Sequence, residues 1–146
     1  MPLERNLVKA VNDGIHKLVG KVIHHESNTA GSATMNGKPD QYYDGPKGDL
    51  WAEYKQLDAM PRDGVVGRVN AKKRGCYSPL QFHWMQRRFK NCITSGVRLN
   101  VVGIIGLPDR RVVLQRYPEE WEKGSSIELA ISRKELVDWI LEFCYR

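Results

Sequence analysis

Gln41-Tyr42-Tyr43-Asp44-Gly45-Pro46-Lys47-Gly48-Asp49-Leu50-Trp51-Ala52-Glu53-Tyr54-Lys55 reads as two strands joined by a turn. Aromatic residues, which suit a pleated and half-buried surface, sit in both arms. The residues between them carry two glycines and a proline, the types that close tight turns. Successive side chains of a strand point to opposite faces, so Glu53 and Lys55 share one face while Ala52 and Tyr54 share the other. An acid and an amine are thereby fixed side by side. Pro39-Asp40 leads into the first arm, and the return of the hairpin brings Asp40 near Glu53. Two carboxylates and one lysine converge.

Outward from this hairpin, toward the N-terminus, Leu3, Leu7, Val11, Ile15, Leu18, Val19 and Val22 recur at spacings of three and four. That is the helical period, and it predicts a helix over 3–22 facing a core. Asn12-Asp13-Gly14 is expected to kink or end it, since a helical glycine costs about 1 kcal/mol relative to alanine. Residues 21–26 then read as a short strand and 27–34, rich in small turn formers, as a mobile loop.

On the other side, residues 57–77 hold Pro61, Gly64, Gly67 and the run Lys72-Lys73-Arg74 without any sustained period. They predict a long loop, a feature that in compact domains is functional or disordered. Ser78-Pro79-Leu80-Gln81 has the pattern of a capping box with proline in the first turn, so a helix starts there. Leu80, Trp84, Met85, Phe89, Cys92 and Ile93 mark its apolar side, and Gly96 is its expected stop. The β-branched run 97–105 predicts a central strand, and Val112-Val113-Leu114 pairs with it after the Pro108-Asp109 turn. Ser132-Arg133-Lys134-Glu135 repeats the capping pattern and launches a last helix with Leu136, Val137, Ile140, Leu141 and Cys144 on one face. The order helix, strands, helix, strands, helix predicts an α/β fold, a mixed central β-sheet flanked by α-helices in three layers.

Length and composition fit that reading. The 146 residues suit one domain, 1–146, and 41% hydrophobic with 27% charged residues excludes wholesale disorder. The longest apolar run, 101–107, contains two glycines and falls far short of the roughly twenty residues of a membrane span. Charges at Glu4, Arg5 and Lys9 argue against an export signal, so a cytoplasmic protein is expected. Cys76, Cys92 and Cys144 are scattered and odd in number, which predicts reduced thiols. No spacing of these with His24, His25 or His83 resembles a zinc module. A net charge of +6 permits a polyanionic partner.

The converging trio has the chemistry that hydrolysis of a phosphodiester needs. Hard oxygen ligands hold Mg²⁺, which can grip a phosphate oxygen and acidify a bound water. Lys55, a compact charge, can orient that water and offset negative charge on the phosphate, and the Tyr54 carbonyl can complete the metal shell.

Four segments in order, Gly37-Lys38-Pro39-Asp40, the 49–55 arm, Tyr77-Ser78-Pro79-Leu80-Gln81-Phe82-His83-Trp84 and Gly96-Val97-Arg98, resemble the PD-(D/E)xK nuclease superfamily. Within it they are most similar to the VRR-Nuc group, which includes small stand-alone phage members. The likeness runs over about 37–106. It implies a restriction-endonuclease-like core and a divalent metal, Mg²⁺ with Mn²⁺ as the alternative. It further implies Asp40 and Glu53 as ligands, Lys55 as the catalytic lysine and Gln81 as a residue supporting the site. Glu4-Arg5-Asn6-Leu7-Val8 resembles the first helix of archaeal Holliday-junction resolvases, where a glutamate joins the metal site, and so implies Glu4 as a further ligand. Each has a plain alternative: an ion pair for Glu53 and Lys55, a turn residue for Asp40, a cap for Gln81, the helix dipole for Glu4.

The activity implied is that of a metal-dependent DNA endonuclease, structure-specific for branched DNA such as Holliday junctions, working as a homodimer and acting in the host cytoplasm if phage-encoded. Two alternatives stay open: a nicking or duplex nuclease without branch preference, and a non-catalytic DNA-binding accessory protein. Lys72, Lys73 and Arg74, which precede the helix carrying Gln81, are the first candidates for phosphate contacts, with Arg87 and Arg88 second.

Overall fold

Strand β3, Gly48–Gln56, lies in the middle of a sheet, with a covered face on either side of it. The structure is a computed structural model that describes residues 2–19, 24–27, 38–73 and 75–146. Among these residues five strands form the main sheet in the order β1 (His24–Ser27), β2 (Gln41–Gly45), β3, β5 (Val101–Gly106), β6 (Val112–Gln115). The β3–β5 pair is parallel and the other neighbours are antiparallel, so the sheet is mixed. The predicted 41–55 hairpin is present, with Gly45 opposite Gly48 at its tip. Buried along its whole length, β5 explains its unbroken apolar sequence.

Leu50, Ala52 and Tyr54 of β3 face a core shared with Leu7, Val11 and Ile15 of α1 (Pro2–Val19) and with Leu136, Val137, Ile140 and Leu141 of α4 (Arg133–Cys144). On the opposite face Val101, Ile105 and Val113 pack with Met85 of α2 (Pro79–Ser95) and Trp121 of α3 (Pro118–Lys123). The result is an α/β fold with helices on both sides of a mixed sheet. Each fully buried aliphatic side chain contributes about 1.5–3 kcal/mol, so both faces are held by the same force.

Several boundaries differ from the sequence reading. Helix α1 continues unbroken through Asn12-Asp13-Gly14. Three contacts explain this: Asn12 accepts a 2.7 Å hydrogen bond from Tyr43 Oη, Asp13 pairs with Lys9 one turn back, and Gly14 gives Val137 room to approach. A Cβ at Gly14 would lie 3.1 Å from Val137 Cγ2, so the glycine serves the packing of α1 on α4. The expected extension of α1 to 22, the start of the following strand at 21–23 and the loop over 28–34 lie outside the described residues.

The strand expected from 97 begins at Val101. Gly96 adopts a left-handed φ of 68° as the cap of α2, and Val97 N–H bonds back to Cys92 C=O, so the chain is still leaving the helix there. Segment 57–77 is not all loop. It contains β4 (Val65–Arg68), paired with β7 (Gly124–Ser126) in a small second sheet. Both are too short to show a period, and their partners are some sixty residues apart in sequence, which hides them from local reading. The capping boxes at Ser78/Gln81 and Ser132/Glu135 are formed in full. The three cysteines are free, and no helix among the described residues is long and apolar enough to cross a membrane.

Candidate active site

The hairpin register places the first two acids. Gln41 pairs with Ala52, so the next step carries Asp40 to the level of Glu53. On its other side Glu53 pairs with Gly103 of β5, in the interior of the sheet, and is only 1% exposed. Glu4, in the first turn of α1, brings a third acid to the same point. One carboxylate oxygen from each of Glu4, Asp40 and Glu53 lies within 4.8 Å of the others.

Lys55 stands on the same face as Glu53, two residues along, with Nζ 3.4 Å from Glu53 Oε2. Gln81 reaches that same oxygen: its Nε2 donates to Glu53 Oε2 at 3.0 Å while its Oε1 accepts the Ser78 N–H at 2.9 Å. The cap and the site contact are therefore both made by one side chain. An amide can do this because its two ends are a donor and an acceptor. A glutamate would complete the cap equally well and set a fourth carboxylate against Glu53.

The peptide groups of β3 alternate. Trp51 and Leu57 N–H groups donate to Asn100 and Gly106 carbonyls on the β5 side, so the peptide groups of Tyr54 turn the other way, toward the edge where Asp40 lies. Tyr54 N–H there donates to the Asp40 carboxylate. The Tyr54 carbonyl, expected to contribute to a metal shell, faces the same edge.

Electrostatically the cluster is far from satisfied. Burial raises Glu53 well above the usual carboxylate range, and repulsion from Asp40 adds to this while Lys55 opposes it. Asp40 is likewise raised by burial, against the pull of Glu53, Lys55 and Glu4 contacts. Glu4 is pushed up to about 7, by burial first and Asp40 second. Three ionised carboxylates against the Lys55 ammonium would leave two uncompensated charges in a poorly hydrated place, which is costly. Moreover, Asp40 Oδ2 and Glu53 Oε1 are buried without any hydrogen-bond partner. Buried oxygens are nearly always paired, so these two are lone pairs held ready for something. The donor set is all hard oxygen, and a divalent ion of the Mg²⁺ or Mn²⁺ type fits it.

Tyr77 and Gly103 were not singled out in the sequence, yet they shape the site. The Tyr77 ring is fully buried, which raises its hydroxyl well above the ordinary value with the charge of Glu53 adding to this, and that hydroxyl donates to Gln115. A Cβ at Gly103, directly across from Glu53, would meet Tyr77 Oη at 1.7 Å. The signal was a glycine inside an otherwise β-branched run, where a close approach is the usual reason.

The basic candidates lie elsewhere. Lys72 and Lys73 are exposed in a turn held by Asn70, whose Oδ1 accepts the Lys72 N–H, and Arg74 lies outside the described residues. Arg87 is exposed on α2, whereas Arg88 donates through Nε to Asn100 Oδ1 at 3.1 Å and is partly committed to the fold. The same Asn100 donates to Asp49 at 2.9 Å, tying α2 to the hairpin.

No family model and no curated protein matches the chain. Among solved structures it is similar to Hjc of Archaeoglobus fulgidus, a Holliday junction resolvase from an archaeal hyperthermophile. That likeness has 15% identity and a TM-score of 0.49, and covers 90% of this chain and 98% of the other.

Proposed function

We propose that this protein is a divalent-metal-dependent DNA endonuclease of the PD-(D/E)xK type, in its VRR-Nuc branch, with residues 1–146 as a single nuclease domain. The reading extends to a preference for branched DNA and to a homodimer whose two sites cut symmetrically, in the cytoplasm, that of the host if the protein is phage-encoded. One observation carries it: three carboxylates within 4.8 Å, two of their oxygens buried and unpaired, with a lysine 3.4 Å from the deepest. The ordered motifs around 37–106 support the nucleic-acid substrate.

Glu4, Asp40 and Glu53, with the Tyr54 carbonyl, would hold the ion, which when bound supplies Lewis acidity and an acidified water. Glu53 is the fixed point of this arrangement, since Gln81 and Lys55 both hold its Oε2 and leave Oε1 free to ligate. Lys55, 15% exposed at its side chain, presents its ammonium at the mouth of the site, where it can orient the attacking water and balance charge on the phosphate. Lys72, Lys73, Arg74, Arg87 and Arg88 are the proposed contacts to the DNA backbone, giving affinity that falls with salt.

The test is cleavage of a four-way junction and a matched linear duplex in Mg²⁺ or Mn²⁺. The reading expects products from the wild type, preferential for the junction, and none from Glu53→Gln or Lys55→Ala at the same concentration. Equal cleavage of both substrates would retain the nuclease and remove the branch preference. Salt-sensitive binding with no products in any divalent metal would favour the accessory protein.

A further inference from the structure

A second cleft lies at the end of the sheet. A cleft of about 390 Å³ opens between the start of α1, the end of β3, the β5–β6 turn and the first residue of α4. Its polar walls are Asn6, Gln56, Asp58, Arg110 and Arg133. Asn6 is two residues from Glu4 and Gln56 one residue from Lys55, so the cleft shares two elements with the carboxylate cluster.

Three features of this cleft are unusual. Arg110 and Arg133 are set near each other, and among the described residues no carboxylate forms an ion pair with either. Asp58 also lines the cleft and is itself engaged in an interaction. Burial and the charge of Arg110 both push the Arg133 guanidinium below its usual value. Arg133 Nε is buried and has no hydrogen-bond partner, and neither has Oε1 of Gln56, a residue 8% exposed. Arg110 is also the non-glycine residue with a left-handed backbone, φ 74°, in the turn that its own N–H closes onto Leu107 C=O. Glycine or asparagine would sit there with less strain, on the order of 1 kcal/mol. From this turn Arg110 lines the cleft, and among the described residues its side chain makes no hydrogen bond or ion pair.

We infer that the Arg110–Arg133 cleft binds a phosphate group. Two guanidinium forks, neither in an ion pair among the described residues, present several N–H donors to one small anion, the geometry that best suits phosphate oxygens. Given the nuclease reading above, on which this part rests, the phosphate is one of the DNA backbone, gripped away from the scissile bond to fix the strand's register.

Inorganic phosphate is titrated against the full-length protein in EDTA at constant ionic strength, following amide chemical shifts. The wild type is expected to saturate, and Arg110→Gln/Arg133→Gln to bind at least about ten-fold more weakly. Lys17→Gln/Lys90→Gln, which removes the same charge from exposed positions, is expected to bind as the wild type does. Unchanged phosphate affinity in the arginine variant, or an equal loss in the lysine control, overturns the site. Arg110→Gln alone, on the exposed turn, gives the same test if the double variant fails to fold, with a several-fold loss expected.

A second arm measures junction and duplex binding in EDTA over a salt series. The slope of log K against log salt should become shallower by about 0.9 in the double variant, the value for one phosphate lost. Loss of phosphate binding with an unchanged DNA slope overturns the backbone assignment and gives the site to a free phosphate or mononucleotide. Neither arm reads cleavage, so a catalytically silent wild type would sink the nuclease reading while leaving the phosphate site standing.

Discussion

The two faces of strand β3 are both buried, and they treat their polar groups in opposite ways. On the α1/α4 side, Tyr54 Oη is 2.6 Å from Tyr43 Oη, which donates in turn to Asn12 at 2.7 Å. Every member of that chain has a partner, and burial raises both tyrosines so that they stay neutral. On the α2 side, one residue away, Glu53 keeps one oxygen tied by Gln81 and Lys55 and the other bare. A satisfied buried network specifies the core, whereas a buried network with open valences costs stability that packing elsewhere must offset. The contrast separates a polar group whose valences are filled from one whose valences are open without any appeal to exposure, which is close to nil for both.

The contrast breaks first at Glu53. Glu53→Gln should reduce metal-dependent cleavage by at least about a hundred-fold, because a neutral amide is a poor ligand for a divalent ion, while Tyr54→Phe should keep activity within a few-fold. Tyr54→Phe should instead lose about 1 kcal/mol in denaturant melts, the worth of a hydrogen bond whose partner is left buried. The reverse pattern would mean that the faces have been assigned the wrong way round.

Next in size is Gly103→Ala. Its added carbon cannot coexist with Tyr77 Oη, so overpacking should cost about 1–3 kcal/mol and move the Tyr77 ring beside Glu53. Chemical denaturation checks the stability, and an unshifted midpoint would show that the approach is looser than described.

Gln81 offers a sharper cut. Gln81→Ala should lose both the cap and the grip on Glu53, whereas Gln81→Glu should retain helix stability and still lose about ten-fold in cleavage. Comparing melting and kinetics of the two variants separates the cap from the site, and equal activity in Gln81→Glu would leave only the cap.

The smallest effect concerns pH. Glu4 has a folded value of about 7 against an ordinary 4.5, so the folded protein binds this proton more tightly than the unfolded chain does. The resulting stabilisation is complete below about 4.5 and disappears as pH rises through about 7. In EDTA, Glu4→Gln should therefore match the wild type near pH 4.5 and melt at higher temperature than it above pH 7. Saturating Mg²⁺ should cancel that advantage by stabilising the wild type. A constant difference across the range would mean that neither burial nor Asp40 raises Glu4 in the folded protein.

How much of this was legible in the sequence follows from the range of the interactions involved. The hairpin, α2, the β5–β6 pair and α4 were readable because turn residues, capping boxes and apolar runs are local signals. Asp40, Glu53 and Lys55 followed from strand alternation plus one turn, and Glu4 from a resemblance alone. The pair β4–β7 was hidden, since three- and four-residue strands carry no period of their own. Val97 was misplaced into a strand because a β-branched residue after a capping glycine looks like the strand it precedes. The double duty of Gln81 could not be chosen in advance, for each explanation was sufficient by itself. The Arg110–Arg133 cleft is invisible in sequence, since it joins a turn to a helix start across the sheet's end.

Diffraction from crystals soaked in Mn²⁺ tests the cluster most directly, through the ion's anomalous signal. A single peak touching Glu4, Asp40 and Glu53 oxygens at about 2.1 Å, with Asp40 Oδ2 or Glu53 Oε1 among the ligands, is the predicted result. Clean density without a peak there at saturating Mn²⁺, the two oxygens having found protein partners instead, would contradict it.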